Sequence, residues 1–150
     1  MNAIDLLKHD HKSVHKLFLD YMSTHEDDVD RREELFQGIE KQLLAHSDAE
    51  EQIFYPAVKN DAPEMIEEAL SDHQEVKQLL SEMLEFEVDD EEFDKRINTL
   101  MEKVEAHVDQ EEGPGGVFEI ARERIGDQEL EDMGWRIEQR KQSTHDELAA

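Results

Sequence analysis

The chain has 150 residues, which is enough for one domain with a buried core. Its formal net charge of −25 argues against nucleic acids and anionic membranes as partners, and the like charge favours a monomer. Because it has no cysteine, disulfides and thiolate metal sites are excluded, so any metal must be bound through nitrogen and oxygen. No apolar stretch reaches the ~20 residues of a membrane span, and no export signal begins the sequence, so we expect a cytoplasmic protein.

Four segments along the chain carry apolar side chains at alternating spacings of three and four residues, which is the pattern of an amphipathic helix. In the second segment this seam consists of Phe36, Ile39, Leu43, His46, Glu50, Ile53 and Ala57. Strand patterns of period two are absent, so the sequence predicts an all-α protein. Four such helices with short connections predict an antiparallel, up-down-up-down four-helix bundle.

Turn and cap residues separate the segments. Asp61 and Pro63 predict a turn in which the proline begins the third helix, and Asp90 is suited to cap the fourth. Pro56 lies late in the second segment, where it is expected to kink or end the helix. The turn at Asp61 to Pro63 and the cap at Asp90 thus predict short connections between the helices.

A tail follows the four segments after a run of glycines and a proline, Gly113 to Gly116. Within the tail, Trp135 together with Leu130, Met133 and Ile137 indicates a closing helix. We expect the bundle over residues 1–112, and over 113–150 a Gly/Pro break and a short C-terminal helix that packs on the bundle and covers its core.

Polar residues interrupt all four apolar seams. Each seam contains one histidine, and the second and fourth also contain a glutamate one turn later. These residues are His11, His46, Glu50, His73, His107 and Glu111. A single histidine on an apolar face is usually a hydrogen-bonded core residue, but a buried carboxylate without a partner costs several kcal/mol. A bound cation would compensate for the whole set.

The sequence also contains an internal repeat. The motif D-H-x-x-V begins at Asp10 and again at Asp72, and the motif A-H-x-D-x-E-E begins at Ala45 and again at Ala106. The histidines of the two motifs are 35 residues apart in the first half and 34 in the second. Each half therefore predicts a helical hairpin, and two hairpins related by a pseudo-twofold axis would form the bundle.

The spacing within the second motif suits metal binding. Residues four apart lie on one helix face, about 6 Å apart along the axis, so His46 and Glu50 can converge on one metal centre. With a histidine from the neighbouring helix, each metal would have two imidazoles, and the glutamates would be free to bridge. Imidazole and carboxylate suit iron, manganese or zinc, and bridging carboxylates in a four-helix core favour a di-iron or di-manganese pair.

The two motifs resemble those of the hemerythrin-like, or HHE cation-binding, domain family. The resemblance covers roughly residues 3 to 112, and the sequence Phe54-Tyr55-Pro56 is similar to the end of the family's second helix. It implies a bundle with two bridged iron ions per chain, with manganese or zinc as alternatives. The implied ligands are the four histidines His11, His46, His73 and His107 and the bridging carboxylates Glu50 and Glu111.

Two features differ from the oxygen-carrying hemerythrins. Those proteins have a second histidine one turn after the third-helix ligand, where this chain has Lys77, and their fourth-helix carboxylate is an aspartate at a longer spacing. Both differences argue against reversible oxygen carriage. His15, one turn after His11, is a further candidate ligand, although a position beside the site is the plainer interpretation.

Other polar residues near the motifs are interpreted as structural. Asp10, Asp72, Glu51 and Glu112 are expected on solvated helix faces, with a hydrogen bond to a ligand histidine as the alternative. Tyr55, like Tyr21, is expected to be a packing residue.

Three hypotheses for function follow. The first is a non-haem di-iron protein that binds or senses dioxygen, nitric oxide or peroxide. The second is an enzyme with catalase-like or oxidase activity at the same centre. The third is a bundle that holds zinc or iron for storage or stability. No general acid is evident in the sequence, which favours the first hypothesis over the second.

Overall fold

The structure of the protein is a computed structural model that describes residues 1–149. All regular elements in this part of the chain are helices, which confirms the prediction of an all-α protein. They are α1 (Ala3–Met22), α2 (Val29–Ala49), a π-helical turn (Glu50–Phe54), α3 (Tyr55–Val58), α4 (Pro63–Met83), α5 (Glu91–Glu112), α6 (Val117–Arg124) and α7 (Asp127–Ala149).

The four long helices α1, α2, α4 and α5 form the predicted bundle from two hairpins. Helix α1 packs against α2, and α4 packs against α5. Contacts between α1 and α5 and between α2 and α4 join the hairpins. The short connections act as the sequence indicated: Pro63 lies in the first turn of α4, and the Asp90 side chain accepts a hydrogen bond from the Glu92 N–H at the start of α5.

Of the two outcomes expected at Pro56, a kink or the end of the second helix, the structure excludes the end. The chain stays helical to Val58, but its turn from Glu50 to Phe54 is a π-helix, and the Tyr55 N–H donates to the Glu50 carbonyl. Proline has no N–H and its ring collides with the carbonyl four residues earlier, so a wider turn before Pro56 accommodates it.

This π-helical turn changes which residues face the core. An unbroken α-helix would bury Ile53 and Ala57, but Ala57 is exposed and Ile53 is only half-buried. The extra residue in the turn shifts the seam, so that Phe54, Tyr55 and Val58 are buried instead. The predicted seam is therefore wrong after Glu50.

The apolar core consists of two clusters. One contains Ile4 and Phe54 and includes residues of α6 and α7, and the other contains Phe18, Phe36 and Phe93. In α1, α2 and α4, the histidine of the repeat lies between the residues of the first cluster and those of the second. In α5, His107 follows the residues of the second cluster, and the first cluster resumes only in α6. The polar residues of the repeat thus occupy a layer across the middle of the bundle.

The tail contains two helices rather than one short helix. Helix α7 has 23 residues, as long as those of the bundle, and packs against α1 and α2. Leu130, Met133 and Ile137 are buried as expected, but Trp135 is 63% exposed. The expectation for Trp135 was wrong because it lies two residues from Met133 and from Ile137, on another side of the helix. Within residues 1–149, no helix is both long enough and apolar enough to cross a membrane.

Candidate metal centre

The four histidines of the repeat meet in two pairs at the middle of the bundle. The rings of His11 and His46 have their centroids 4.9 Å apart, and those of His73 and His107 are 5.0 Å apart. Each pair comes from one half of the repeat, with one ring from each helix of the hairpin. The helical hairpins thus place two imidazoles together in each half.

Two glutamates connect the histidine pairs. The Oε1 atom of Glu50 lies 3.0 Å from His46 Nε2 and 3.2 Å from His73 Nε2. The Oε1 atom of Glu111 lies 3.3 Å from the Nε2 atoms of both His11 and His107. Each carboxylate therefore approaches one histidine of each pair, which is the arrangement that a bridging ligand between two metal ions requires.

The donor atoms of this centre are buried and lack hydrogen-bond partners. Glu50 is fully buried, and both of its carboxylate oxygens are without a hydrogen bond. The same is true of Glu111 Oε1 and of the Nε2 atoms of His11 and His46, because the close approaches do not have hydrogen-bonding geometry. Buried polar atoms of this kind are costly unless paired, and divalent cations bind imidazole and carboxylate. The site thus fits metal ions.

Candidate ligand atoms lie close enough to hold an ion in two groups. His11, His46, Glu50 and Glu111 form one group, and Glu50, His73 and His107 form the other. Within each group the ligand atoms are all within 4.8 Å of one another. The six residues singled out in the sequence are therefore brought together; that they coordinate a metal stays a prediction.

All four imidazoles are held from the other side by a carboxylate on Nδ1. His46 is bound by Asp10 at 2.8 Å and His107 by Asp72 at 3.0 Å, so each of these aspartates serves its own half. Glu51 and Glu112, in contrast, serve the opposite half: they bind His73 at 3.0 Å and His11 at 2.6 Å. All four therefore make the hydrogen bond to a candidate ligand histidine that was the alternative expectation. The solvated face favoured from the sequence is wrong for Asp10, which is buried, whereas Glu51 and Asp72 are partly buried and Glu112 is exposed. Such contacts fix the ring orientation and leave Nε2 for a metal.

The same carboxylates raise the pKa values of the buried imidazoles in the metal-free chain. Burial opposes the charged form of His46, but Glu50 and Asp10 outweigh it and raise its pKa to about 10. The pKa of His107 is raised to about 9, because Glu111 and other carboxylates outweigh the effect of burial. Metal binding at Nε2 must therefore displace protons.

A sequence profile of the hemerythrin HHE cation-binding domain matches residues 2–114. The chain belongs to the hemerythrin HHE family. Among solved structures, a hemerythrin HHE cation-binding-domain protein from Mycobacterium kansasii superposes with a TM-score of 0.82 and 25% sequence identity. That match covers 98% of this chain and 89% of the other, so it includes the tail, which the profile omits.

A curated relative shares sequence with nearly the whole chain. The protein named DNA nickase from Nostoc sp. is 33% identical over 132 residues, which is 87% of this chain. The chain spans only 36% of the length of that relative.

Tyr55 is the functional-site residue that the sequence did not reveal. Its hydroxyl donates to Glu111 Oε2 at 2.6 Å and lies 3.2 Å from His73 Nε2 and 3.3 Å from His107 Nε2. The π-helical turn produces this position, because residues five apart come close to one face when a turn is widened. In the second half of the repeat the corresponding residue is Gly116, so only one side of this HHE centre has a phenol.

The possible seventh ligand, His15, does not reach the centre. Its side chain is 54% exposed, and its Nδ1 lies 3.7 Å from the exposed carboxylate of Glu105 on α5. His15 lines a surface cavity of about 460 Å³ between α1 and α5, and His11 lies at the wall of that cavity. Lys77, at the position where oxygen carriers have a histidine, lies 3.5 Å from Glu51 and thus contacts a carboxylate that holds His73.

A small apolar cavity of about 30 Å³ adjoins all four histidines. Val14, Val76 and Val104 contribute to its lining. The HHE centre therefore has apolar space for a molecule of a few atoms on one side and the surface cavity beside His11 on another.

Proposed function

We propose that this HHE protein is a non-haem di-iron protein that binds a small ligand such as dioxygen, nitric oxide or peroxide. One iron would be held by His11 and His46 and the other by His73 and His107, with Glu50 and Glu111 bridging the two. Iron bound in this way would supply redox chemistry and open coordination positions.

The sharing of both glutamates between the histidine pairs is the observation that carries this proposal. A purely structural zinc ion is usually enclosed by four ligands and needs no partner ion. Here two imidazoles and two shared carboxylates would serve each ion, which suits a bridged pair with unfilled positions. Among metals that accept such ligands, iron and manganese have the redox chemistry that small oxygen-containing ligands require.

Iron content and absorption spectra test the proposal. We expect two irons per chain after anaerobic loading, and a charge-transfer absorption that appears when the reduced protein is exposed to air or nitric oxide. The variants Glu50→Ala and Glu111→Ala should each lose at least one iron. Fewer than one iron per wild-type chain would disprove the di-iron proposal, and two tightly bound zinc ions with no iron binding would support the storage or structural alternative.

An enzymatic role at the same centre is the second candidate, and Tyr55 favours it. The sequence offered no proton-donating group at the centre, but a buried phenol that donates to Glu111 can supply a hydrogen bond inside the site. Burial, together with Glu50 and Glu111, raises the pKa of Tyr55 well above its usual range, so the phenol stays protonated and acts as a hydrogen-bond donor rather than as a strong acid. Oxygen evolution from peroxide by the wild-type protein would establish turnover. Its loss in a Tyr55→Phe variant that retains both irons would show that the phenol takes part.

An activity on DNA, which the name of the Nostoc relative gives for that protein, is not favoured for this chain. Its net charge of −25 repels phosphate backbones, and it corresponds to little more than a third of that relative.

A further inference from the structure

Helix α7 reaches the metal centre through one lysine. Lys141 donates to Asp10 Oδ1, and Asp10 Oδ2 accepts from His46 Nδ1 at 2.8 Å. We propose that Lys141 is a positioning residue: it fixes Asp10, and through Asp10 the ring of His46, so that α7 controls metal binding at the His11–His46 pair but not at the His73–His107 pair. This inference rests on the proposed metal pair.

The geometry of Asp10 leaves it little freedom. The residue is only 7% exposed, and each carboxylate oxygen has a different partner, Lys141 on one side and His46 on the other. Without Lys141, the carboxylate would have one buried oxygen unpaired and would gain by turning towards water. Turning would release the Nδ1 contact that orients His46, and losses of such contacts typically weaken metal binding by 10- to 100-fold.

The repeat provides an internal comparison. Asp72 binds His107 as Asp10 binds His46, but its side chain is 28% exposed and, among the described residues, it makes no ion pair with a lysine or arginine. A lysine also contacts the carboxylate behind His73, but that residue, Lys77, lies on α4. The contact from α7 to a carboxylate on an imidazole therefore belongs to one half only. This asymmetry predicts that loss of Lys141 weakens metal binding at the His11–His46 pair and not at the His73–His107 pair.

Helix α7 makes a second ion pair, with α2, that serves as a control. Arg140, next to Lys141, makes two hydrogen bonds to Asp48 on α2, at 2.6 and 3.1 Å. The hydrogen-bond partners of Asp48 are Arg140 and Thr144, and among the described residues none is an imidazole. Arg140→Met should therefore loosen α7 without disturbing the contacts of His46.

Titration of the full-length, metal-free protein with Co²⁺ tests the role of Lys141 at each position separately. In a His73→Ala background only the His11–His46 pair is complete, and there we expect Lys141→Met to weaken Co²⁺ binding about tenfold. In a His11→Ala background only the His73–His107 pair is complete, and Lys141→Met should leave the affinity unchanged. Lys141→Arg should restore binding, and the ligand-field absorption of Co²⁺ should change only in the first background.

Two results would overturn the inference. One is an equal effect of Lys141→Met in both backgrounds or none in either, and the other is an equal effect of Arg140→Met, which would mean that α7 acts only by stabilising the fold. Circular dichroism of each variant establishes that it is folded. Failure of the metal pair itself is distinct, because the wild-type protein would then bind fewer than two Co²⁺ ions.

Discussion

The two buried tyrosines of this protein differ in what their hydroxyls do, although both rings are packed in the core. Tyr55 donates to Glu111, whereas the hydroxyl of Tyr21 has no hydrogen-bond partner among the described residues. A hydrogen bond to a charged group contributes about 1.5–3 kcal/mol. We therefore expect Tyr55→Phe to lower the free energy of unfolding of the metal-free protein by about 2 kcal/mol, measured by urea denaturation.

Metal loading should reduce the effect of Tyr55→Phe, because Glu111 would then have a metal ion as its partner. Tyr21→Phe is the matched control: it removes an unpaired hydroxyl, so the unfolding free energy should stay the same or rise. Equal losses in the two variants would show that the hydroxyl of Tyr55 has no special partner.

The six candidate ligands could be identified from sequence because each combines a helical seam position with a repeat. The four carboxylates that contact the histidine Nδ1 atoms, here called the outer carboxylates, were harder to place: Asp10, Glu51, Asp72 and Glu112. Asp10 and Glu51 each precede or follow a seam residue by one position, and whether such a side chain meets water or a neighbouring helix depends on how the helices cross. Among so many acids, a local pattern does not separate the two outcomes.

The π-helical turn explains the largest error in the sequence-based prediction. A fixed period of 3.6 residues placed Ile53 and Ala57 in the core and left Tyr55 as a packing residue. One wider turn moved Tyr55 into the metal centre. Pro56 is the local sign of an irregular turn, but a proline can equally end or kink a helix, so sequence alone did not choose among these outcomes.

Helix α7 touches the start of α1 at a glycine, and this contact leads to a prediction about α7 docking. A Cβ added at Gly134 would collide with the Met1 carbonyl oxygen and lie 3.0 Å from the carbonyl carbon of Asn2. Replacing a helical glycine by alanine ordinarily stabilises a protein by up to about 1 kcal/mol. Here we expect Gly134→Ala to destabilise it by about 1–3 kcal/mol, because the backbone must move apart.

Gly38 in α2 is the matched control for that substitution. A Cβ there would meet only the Leu17 side chain, at an ordinary contact distance of 3.6 Å. Gly38→Ala should therefore raise the unfolding free energy, by up to about 1 kcal/mol. Thermal and urea denaturation measure the change in unfolding free energy of each variant. If that change had the same sign in both variants, the close approach of α7 to the N-terminus would be refuted.

The whole chain should respond to pH differently with and without metal. The pKa values of about 10 for His46 and about 9 for His107 exceed the ordinary value of 6.5, so their charged forms stabilise the metal-free fold. That contribution is complete below pH 6.5 and is lost as pH rises through 9 to 10. We expect the unfolding free energy of the metal-free protein to fall between pH 7 and pH 9.

The metal-loaded protein should lack this decrease, because its imidazoles are neutral ligands throughout that range. Urea denaturation at the two pH values, with chelator or with bound Zn²⁺, makes the comparison. A metal-free protein that is equally stable at both values would contradict the assigned contacts of His46 and His107.

The overall architecture was largely predictable, and the reason lies in the repeat and the breaks between helices. The two D-H-x-x-V motifs and the glycine run defined hairpins and the end of the bundle. The tail was less predictable, since beyond Leu130, Met133 and Ile137 helix α7 is mostly polar. Part of its contact with the bundle is made by ion pairs such as that of Arg140 with Asp48, whose two residues lie almost a hundred positions apart in sequence.

The crosswise arrangement of outer carboxylates has a consequence for how such a centre can be assembled. Because Glu51 and Glu112 each serve the opposite hairpin, neither hairpin alone can orient both of its own imidazoles. Two identical copies of one hairpin, related by a true twofold axis, would nevertheless reproduce all four contacts. The centre is thus compatible in its geometry with a homodimer of a half-length peptide. Tyr55, Lys77 and Lys141 each occur in one half of the centre only, and a single fused chain permits this difference where two identical copies of a hairpin would not.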